Sequence, residues 1–381
     1  MRWSVKPVQV GSTPTLWIHI SSMTTEEKLN NIISIGEEVI GLEEIRAKLQ
    51  DGKKLIAYDG FEPSGNIHIA QGLLKSLTIQ KLIQNDVHFK MLVADWYAFA
   101  NNKLGGDMEK IKTTGRYFIE VWKACGLDTN KVEFIWTSDM VKDPSYWAQV
   151  LRIAKATTLK RVIRCSQIMG RNETDTLSAA QIMYPIMQTN DIFYLEADIA
   201  QLGMDQRKVN MLARQIADEL KLPKPAAIHH HMLMSLRPSI EDVSTDKIDR
   251  VIAMKMSKSK PEGAIFMTDT DTEVAHKIKN AYCPPESEID NPVLEYFKYI
   301  VFMKHNSIEI QREEKFGGNL SINSYQELAE KYIKGEIYSL DLKSNLTRYI
   351  NEMLEPVRKH FRENPTAKKL LEEVASFSIT R

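Results

Sequence analysis

The sequence predicts an α/β protein in which a doubly wound parallel sheet precedes a helical domain. Strand-like and helix-like segments alternate up to Met254, and beyond it the pattern becomes almost wholly helical. The length of 381 residues suits one large domain and a smaller one. With 43% hydrophobic and 26% charged residues, the chain has the composition of a globular protein with ample material for a core.

The alternation begins with a helical spacing of apolar residues over 24–50 and a short apolar run over 54–58, which predicts a buried strand. A predicted helix over 68–85 and a strand over 89–94 complete a right-handed crossover of the kind found in parallel sheets. The same rules predict further helices at 107–125, 144–170, 177–189 and 205–220, and further extended segments at 132–136, 192–196 and 228–234.

The pattern changes at a polar, lysine-rich loop over residues 255–263. From about residue 271 helices are predicted, with KFGGN at 315–319 as the clearest break and Cys283-Pro284-Pro285 ending a helix. We therefore expect a flexible leader over 1–23, an α/β domain over 24–254, the loop over 255–263 and a helical domain over 264–381.

Composition excludes several classes of protein. No apolar run approaches the roughly 18 residues that a membrane helix needs. Three widely spaced cysteines, Cys125, Cys165 and Cys283, predict neither a disulfide framework nor a zinc site and favour a reducing compartment. Fifty basic side chains balance fifty acidic ones, so any nucleic-acid site must be a local patch.

The first 22 residues contain no acidic side chain and less arginine than a transit peptide usually carries. We expect them to form a weakly ordered leader. Met23, which is followed by TTEEKL, is a plausible alternative start.

The turn after the first predicted strand has the features of a nucleotide cradle. Its sequence, AYDGFEPSGNIHIAQGLL, places Gly60 and Gly65 where a ligand could approach the backbone and His68 where a helix begins. Ligands of parallel sheets bind beyond the carboxyl ends of the strands, and helix N-termini favour phosphate. A turn with no ligand explains this stretch alone equally well.

The second candidate is the loop MKMSKSKPEG, which carries Lys255, Lys258 and Lys260 beside two serines. Such a loop could close over a nucleotide and place ammonium groups on its phosphates. A solvated charged loop is the alternative interpretation.

Together the two segments resemble the signatures of class I aminoacyl-tRNA synthetases. His68-Ile69-Ala70-Gln71 resembles the HIGH motif of that class, and Lys255-Met256-Ser257-Lys258-Ser259 matches its KMSKS motif letter for letter. The segments YPIMQTNDIFYLEAD, LGMDQRK and KFGGNL resemble tyrosyl-tRNA synthetases of the archaeal and eukaryotic type, and the resemblance spans about residues 45–360.

The resemblance implies a Rossmann-like catalytic domain, a helical anticodon-binding domain and a cytoplasmic homodimer. Its interface is expected around the helices between residues 107 and 190. The implied reaction activates tyrosine with ATP and Mg²⁺ and then charges tRNA(Tyr). By resemblance, Tyr58 and Asp191 hydrogen-bond the substrate hydroxyl, whereas Tyr184, Gln188 and Gln206 hold its ammonium group. Phenylalanine would leave the hydroxyl partners unpaired, and tyrosyl-tRNA synthetases are themselves the standard example of such rejection, at about 10⁵-fold without editing.

The resemblance also assigns the nucleotide contacts. His68, Lys255 and Lys258 are the expected catalytic groups, and the wider set of ATP-binding residues adds Gly60, Gln71, Gly203, Asp205, Met256, Ser257 and Ser259. Two positions depart from the common motif: Ala70 replaces glycine and Gln71 replaces histidine, so Gln71 offers a neutral amide without charge.

For tRNA, Arg207 and Lys208 match positions that read the first base pair of the acceptor stem, and Phe316 and Asp341 match positions that recognise the guanine of the anticodon. A basic face predicted on helix 144–170 is a further candidate surface, unless it is simply solvated. Its members are Lys155, Lys160, Arg161 and Arg164, followed by Arg171.

The run His229-His230-His231 is not expected to bind a metal, because adjacent residues on a strand point to opposite faces. Three alternative functions remain at this point: a tryptophanyl-tRNA synthetase, a catalytically inactive synthetase-like RNA-binding protein, and another small nucleotidyltransferase.

Overall fold

A computed structural model describes residues 23–170, 176–238 and 247–377. Its main sheet has six strands in the order β1-β6-β5-β2-β3-β4. They are β1 Glu38–Ile40, β2 Ile56–Phe61, β3 His88–Val93, β4 Val132–Trp136, β5 Ile199–Gly203 and β6 Ala226–His230. All neighbours are parallel except β1 and β6, so the predicted doubly wound sheet is confirmed with one antiparallel edge strand.

The helices of the α/β part alternate with its strands along the chain. They are α1 Thr25–Ile33, α2 Leu42–Gln50, α3 Lys75–Gln84, α4 Asp95–Ala100, α5 Met108–Ala124, α6 Thr137–Met140, α7 Pro144–Ala156, α8 Leu159–Arg164, α9 Ala179–Tyr194 and α10 Arg207–Leu220. Strand β5 is buried at every position, as expected of the centre of a parallel sheet. The strand order reverses between β2 and β5, and this reversal opens a crevice at their carboxyl ends.

The C-terminal part is mainly helical but contains a small hairpin. Its elements are α11 Lys247–Met254, α12 Asp271–Lys279, α13 Pro292–Tyr296, α14 Phe302–Lys304, β7 Ile308–Ile310, β8 Leu320–Ile322, α15 Tyr325–Ile333, α16 Ser339–Glu363 and α17 Pro365–Ala375. Helix α17 packs on α5, and α16 contacts both α5 and α12. One hydrophobic core therefore runs through both parts of the chain.

Several predicted elements were wrong in their details. Residues 24–50 are not continuously helical, because β1 separates α1 from α2. The predicted helix 144–170 is divided at Thr157, and Thr158 caps the start of α8 with its hydroxyl. The segment 192–196 is not extended, since α9 continues to Tyr194; short apolar runs do not distinguish a buried helix from a strand.

Two differences concern the C-terminal part. The hairpin of β7 and β8 was not predicted, because three residues per strand give too short an alternation to detect. Helix α12 ends at Lys279 rather than at the Cys-Pro-Pro run. No helix among the described residues combines the length and apolarity needed to cross a membrane.

Candidate active site

An open cavity of about 670 Å³ lies at the carboxyl ends of β2 and β5. Its size is typical of small-ligand sites. All residues predicted for tyrosine and ATP line it: Tyr58, Gly60, His68, Gln71, Tyr184, Gln188, Asp191, Gly203, Asp205, Gln206, Lys255, Met256, Ser257, Lys258 and Ser259. The structure thus brings two sequence signatures nearly two hundred residues apart into one site.

The HIGH-like turn is fixed by the chain that follows the KMSKS loop. The N–H of Ile69 donates to the carbonyl of Ile265 at 2.8 Å, and the N–H of Met267 donates to Ile67 at 3.0 Å. Gly72 is required here because a Cβ atom would lie 2.5 Å from the Met267 side chain. This packing holds the turn against the chain that leaves the cationic loop.

His68 is buried at the mouth of the helix, and its carbonyl accepts from the N–H groups of Gln71 and Gly72 at 2.9 Å each. Burial, reinforced by Lys258 and Lys255, lowers the pKa of His68 to about 3. The ring is therefore neutral, and Nδ1 has no hydrogen-bond partner within the described part of the chain. A neutral imidazole in this position can donate a hydrogen bond to a phosphate oxygen.

The lysines of the KMSKS loop are tied to other residues of the cavity. Lys255 Nζ lies 2.7 Å from Asp205, and Lys258 Nζ donates to the Ser64 hydroxyl at 3.0 Å. Desolvation lowers the pKa of Lys258 to about 7, and the positive charge of Lys103 acts in the same direction. An incoming phosphate would favour the protonated form of this lysine.

The far end of the cavity contains a buried carboxylate ringed by phenols. Asp191 accepts hydrogen bonds from Tyr146 at 2.8 Å and from Tyr97, and Tyr58 lies in the same apolar cluster. Burial raises the pKa of Asp191 to about 7, and the two tyrosine hydroxyls oppose that rise.

Sequence reasoning missed Tyr97 and Tyr146 as partners of Asp191. Tyr97 follows the carboxyl end of β3, so the rule for ligand sites in parallel sheets could have identified it. Tyr146 lies on α7 and has no local signal.

Tyr184, one of the three side chains predicted for the substrate ammonium, contacts a second carboxylate of the cavity, Glu62, which was also missed. The hydroxyl of Tyr184 donates to Glu62 at 2.7 Å, and the Gln188 amide donates to Gln206 at 3.0 Å. Lys103 lies 3.8 Å from Glu62. Glu62 directly follows β2, so the rule that ligands bind at the carboxyl ends of parallel strands could have identified it.

The residues predicted for tRNA do not line the cavity. Arg207 and Lys208 begin α10 directly after the turn that carries Asp205, and Arg207 pairs with Glu38 at 2.8 Å. The predicted basic face is split between α7 and α8, and Arg171 lies outside the described residues.

Phe316 and Asp341 both contact Tyr338 in the helical part. The ring of Phe316, which is 49% exposed, is 6.4 Å from that of Tyr338, whose N–H donates to Asp341 at 3.2 Å. The arrangement offers an exposed ring and a carboxylate on one surface.

The three consecutive histidines point to different partners. His229 contacts Glu38, His230 contacts Gln201, and His231 contacts Glu37. Among residues 23–170, 176–238 and 247–377, no group of three or more histidine, cysteine, aspartate or glutamate side chains could hold a metal ion.

Comparison with known proteins identifies the family. Residues 50–355 match the family model described as class I tRNA synthetases (W and Y). Tyrosine–tRNA ligase 1, cytoplasmic, of Arabidopsis thaliana is 47% identical over 94% of this chain and 91% of its own. The tyrosine–tRNA ligase of Sulfurisphaera tokodaii is 43% identical over 95% of this chain and 100% of its own.

Among solved structures, tyrosyl-tRNA synthetase from Pyrococcus horikoshii complexed with L-tyrosine has a TM-score of 0.86 and 34% identity. The match covers 92% of this chain and 100% of the other. The family model spans both tryptophan and tyrosine enzymes, so the curated relatives decide between these two. The chain therefore belongs to the class I tRNA synthetases and, within them, to the tyrosine–tRNA ligases, whose reaction activates tyrosine and charges tRNA.

Proposed function

We propose that this chain performs the ligase reaction in the cavity described above, with tyrosine and ATP bound across the β2–β5 crevice. One observation carries the proposal: the HIGH-like turn, the KMSKS loop and the phenol-ringed Asp191 all line a single cavity. In the first step, the tyrosine carboxylate attacks the α-phosphorus of ATP and pyrophosphate leaves. The carboxylate is already ionised, so the step requires positioning and charge stabilisation rather than a general base.

The phosphates are held, in this proposal, by neutral His68 and by Lys255 and Lys258. His68 contributes a hydrogen bond, and the lysines exchange their contacts with Asp205 and Ser64 for the leaving pyrophosphate. Mg²⁺ enters with ATP as part of the substrate and is held by phosphate oxygens and water. This binding mode suits a site whose described residues form no metal cage.

The rest of ATP is held beside β2 and β5. Asp205 accepts from the ribose hydroxyls, Gly203 and Gly60 let the nucleotide lie near the backbone, and Gln71 supplies a neutral amide. In the KMSKS loop, Met256, Ser257 and Ser259 contact ATP through their backbone groups and through the two serine hydroxyls. At Gly203 a Cβ atom would lie 2.5 Å from the Met232 sulfur and 2.8 Å from an Asp205 carboxylate oxygen, so any other residue there would displace these side chains.

Tyrosine is recognised at both ends. Its hydroxyl lies beside Tyr58 and Asp191, and its ammonium group lies among Tyr184, Gln188 and Gln206. The carboxylate of Glu62 supplies the charge that the amide groups lack.

Arg207 and Lys208 approach the acceptor end of tRNA(Tyr), and Phe316 and Asp341 recognise its anticodon. We assign residues 24–254 to the catalytic domain, 255–263 to the KMSKS loop and 264–381 to the anticodon-recognition domain. The leader predicted for residues 1–23 lies outside the described residues except for Met23. We further propose a homodimer that works in the cytoplasm, the location in the name of the Arabidopsis relative.

The test is pyrophosphate exchange with each of the twenty amino acids, followed by charging of a tRNA(Tyr) transcript. We expect exchange with tyrosine alone and charging of the transcript. Exchange with tryptophan, or tight tRNA binding without any exchange, would contradict the proposal and favour a tryptophan enzyme or an inactive RNA-binding protein, respectively.

A further inference from the structure

The edge strand β1, which sequence reasoning missed, brings a carboxylate to the start of α10. Glu38 on β1 stands directly opposite His229 on β6 in the antiparallel register. Opposite residues of an antiparallel pair place their side chains on the same face of the sheet. Glu38 thereby reaches Arg207, the first residue of α10.

Among the described residues, the Arg207 guanidinium is held through its Nε alone. The Nε atom donates to Glu38, at 3.0 Å and 2.8 Å from the two carboxylate oxygens. No hydrogen bond joins Nη1 or Nη2 to a described residue. The side chain remains 34% exposed, so its outer edge is open to a ligand.

A buried chain of hydrogen bonds supports Glu38 from behind. His229 is fully buried, and its Nδ1 lies 2.8 Å from Glu38. Its Nε2 lies 2.9 Å from the side-chain amide of Asn210. With the Asn210 amide donating to Nε2, the imidazole is neutral and donates its Nδ1–H to Glu38. The carboxylate is thus fixed from two directions.

We propose that Glu38, held by His229, is a positioning residue that presents the outer edge of Arg207 to a guanine of the first base pair of the tRNA acceptor stem. A guanidinium reads guanine through two parallel hydrogen bonds to O6 and N7, and this contact requires a fixed orientation. The neutralised Glu38–Arg207 pair has little net attraction for phosphate, so it suits base recognition better than backbone binding. The inference rests on the proposed function, because it assumes that tRNA approaches α10.

The chain offers a matched control. Seven residues further along α10, Arg214 pairs with Glu44 of α2 at 2.7 Å, which is another link from α10 to the N-terminal segment. Glu38→Gln and Glu44→Gln each remove one such carboxylate, but only the first would release Arg207.

The experiment measures kcat/KM for charging of a tRNA(Tyr) transcript and of a transcript with its first base pair inverted, together with tyrosine-dependent pyrophosphate exchange. For Glu38→Gln we expect the preference for the natural transcript to fall at least about fivefold, the lower limit for loss of one bidentate base contact. Exchange should be unchanged, and Glu44→Gln should keep the preference. In a protein that already carries Arg207→Lys, Glu38→Gln should cause no further loss of the preference for the natural transcript, since Glu38 acts through Arg207.

The proposal would be overturned if Glu38→Gln kept the full preference for the natural transcript. It would also be overturned if Arg207→Lys combined with Glu38→Gln lost more of this preference than Arg207→Lys alone. A parallel fall in exchange would show a structural role and would also overturn it. If Glu38→Gln does not fold, Glu38→Asp withdraws the carboxylate while keeping its charge and should lose the same preference. Absence of tyrosine exchange in the unaltered protein would instead refute the proposed function itself.

Discussion

The imidazole of His68 is kept neutral by burial and by two nearby lysines, and its pKa lies at about 3. His68 could contact phosphate as a cation only if substrate binding raised its pKa again. A hydrogen bond from the neutral ring needs no such change. The structure therefore favours His68 as a hydrogen-bond donor that strengthens as charge develops on the phosphate.

We expect His68→Ala to lower the rate of tyrosyl-adenylate formation by at least about 100-fold, because a donor to the transition state is lost. Tyrosine binding should change little, since the tyrosine end of the cavity is formed by other residues. Single-turnover kinetics and equilibrium binding of tyrosine would measure the two effects. His68→Asn is the control, because its amide can still donate and should retain part of the rate. Equal losses in binding and rate would contradict a transition-state role.

The second residue-scale prediction concerns Asp191. Asp191→Asn should reduce the preference for tyrosine over phenylalanine at least about tenfold, the usual effect of losing a hydrogen bond to a charged group. Pyrophosphate exchange with both amino acids would measure it. Asp95→Asn is a matched control, since Asp95 is an equally buried carboxylate at the start of α4 that accepts backbone N–H bonds and does not line the cavity. Loss of the preference in both variants would indicate a general packing effect.

At the scale of elements, His231 joins three segments at the end of β6. Its two ring nitrogens each lie 2.9 Å from a carboxylate, Glu37 before β1 and Glu295 on α13. The ring also stacks on Tyr299 at 4.1 Å. The two carboxylates outweigh burial and raise the pKa of His231 to about 9.

This shift predicts a pH dependence of stability. A histidine whose folded pKa exceeds its unfolded value of about 6.5 stabilises the fold fully below that value, and the stabilisation disappears as pH rises through the folded pKa. We therefore expect the contribution of His231 to the free energy of unfolding to fall between about pH 6.5 and pH 9. Urea denaturation across this range would measure it, and His231→Gln should remove this part of the slope. An unchanged slope in the variant would assign the dependence to other groups.

At the scale of the whole molecule, exposed apolar side chains mark a surface on α7 and α8. Trp147, Leu151 and Leu159 are 39%, 66% and 59% exposed, and they lie within the range where the sequence predicts the dimer interface. Burial of these side chains against a second copy would remove apolar surface from water.

We expect Leu151→Glu to shift the protein from dimer to monomer, because a charge would be buried at the interface. Sedimentation velocity at several concentrations would measure the change. Leu340→Glu is the control, since Leu340 is 76% exposed but lies on α16, outside the predicted interface. A dimer that persists in Leu151→Glu, or a monomer in both variants, would contradict this interface.

Although it missed β1, misplaced β5 and did not identify Glu62 or Tyr97, the sequence by itself determined most of the other strands and helices of the α/β part, the family and many of the residues that line the cavity. These follow from local features: apolar spacing defines strands and helices, and the two signature motifs are short and continuous. The carboxyl-end rule for parallel sheets places the turn with His68 at the ligand edge, whereas Lys258 follows α11 and reaches the same cavity through the tertiary fold.

Only the tertiary structure decided which side chains pair with each other and which titratable side chains are charged. Asp191 and Tyr97 are 94 residues apart, and Glu38 and His229 are 191 apart, so no local pattern relates them. Charge states depend on burial by the whole fold, because removal of water changes the cost of charging a side chain. For this reason the neutral state of His68 and the edge strand that orients Arg207 could not be predicted from the sequence and were found only in the structure.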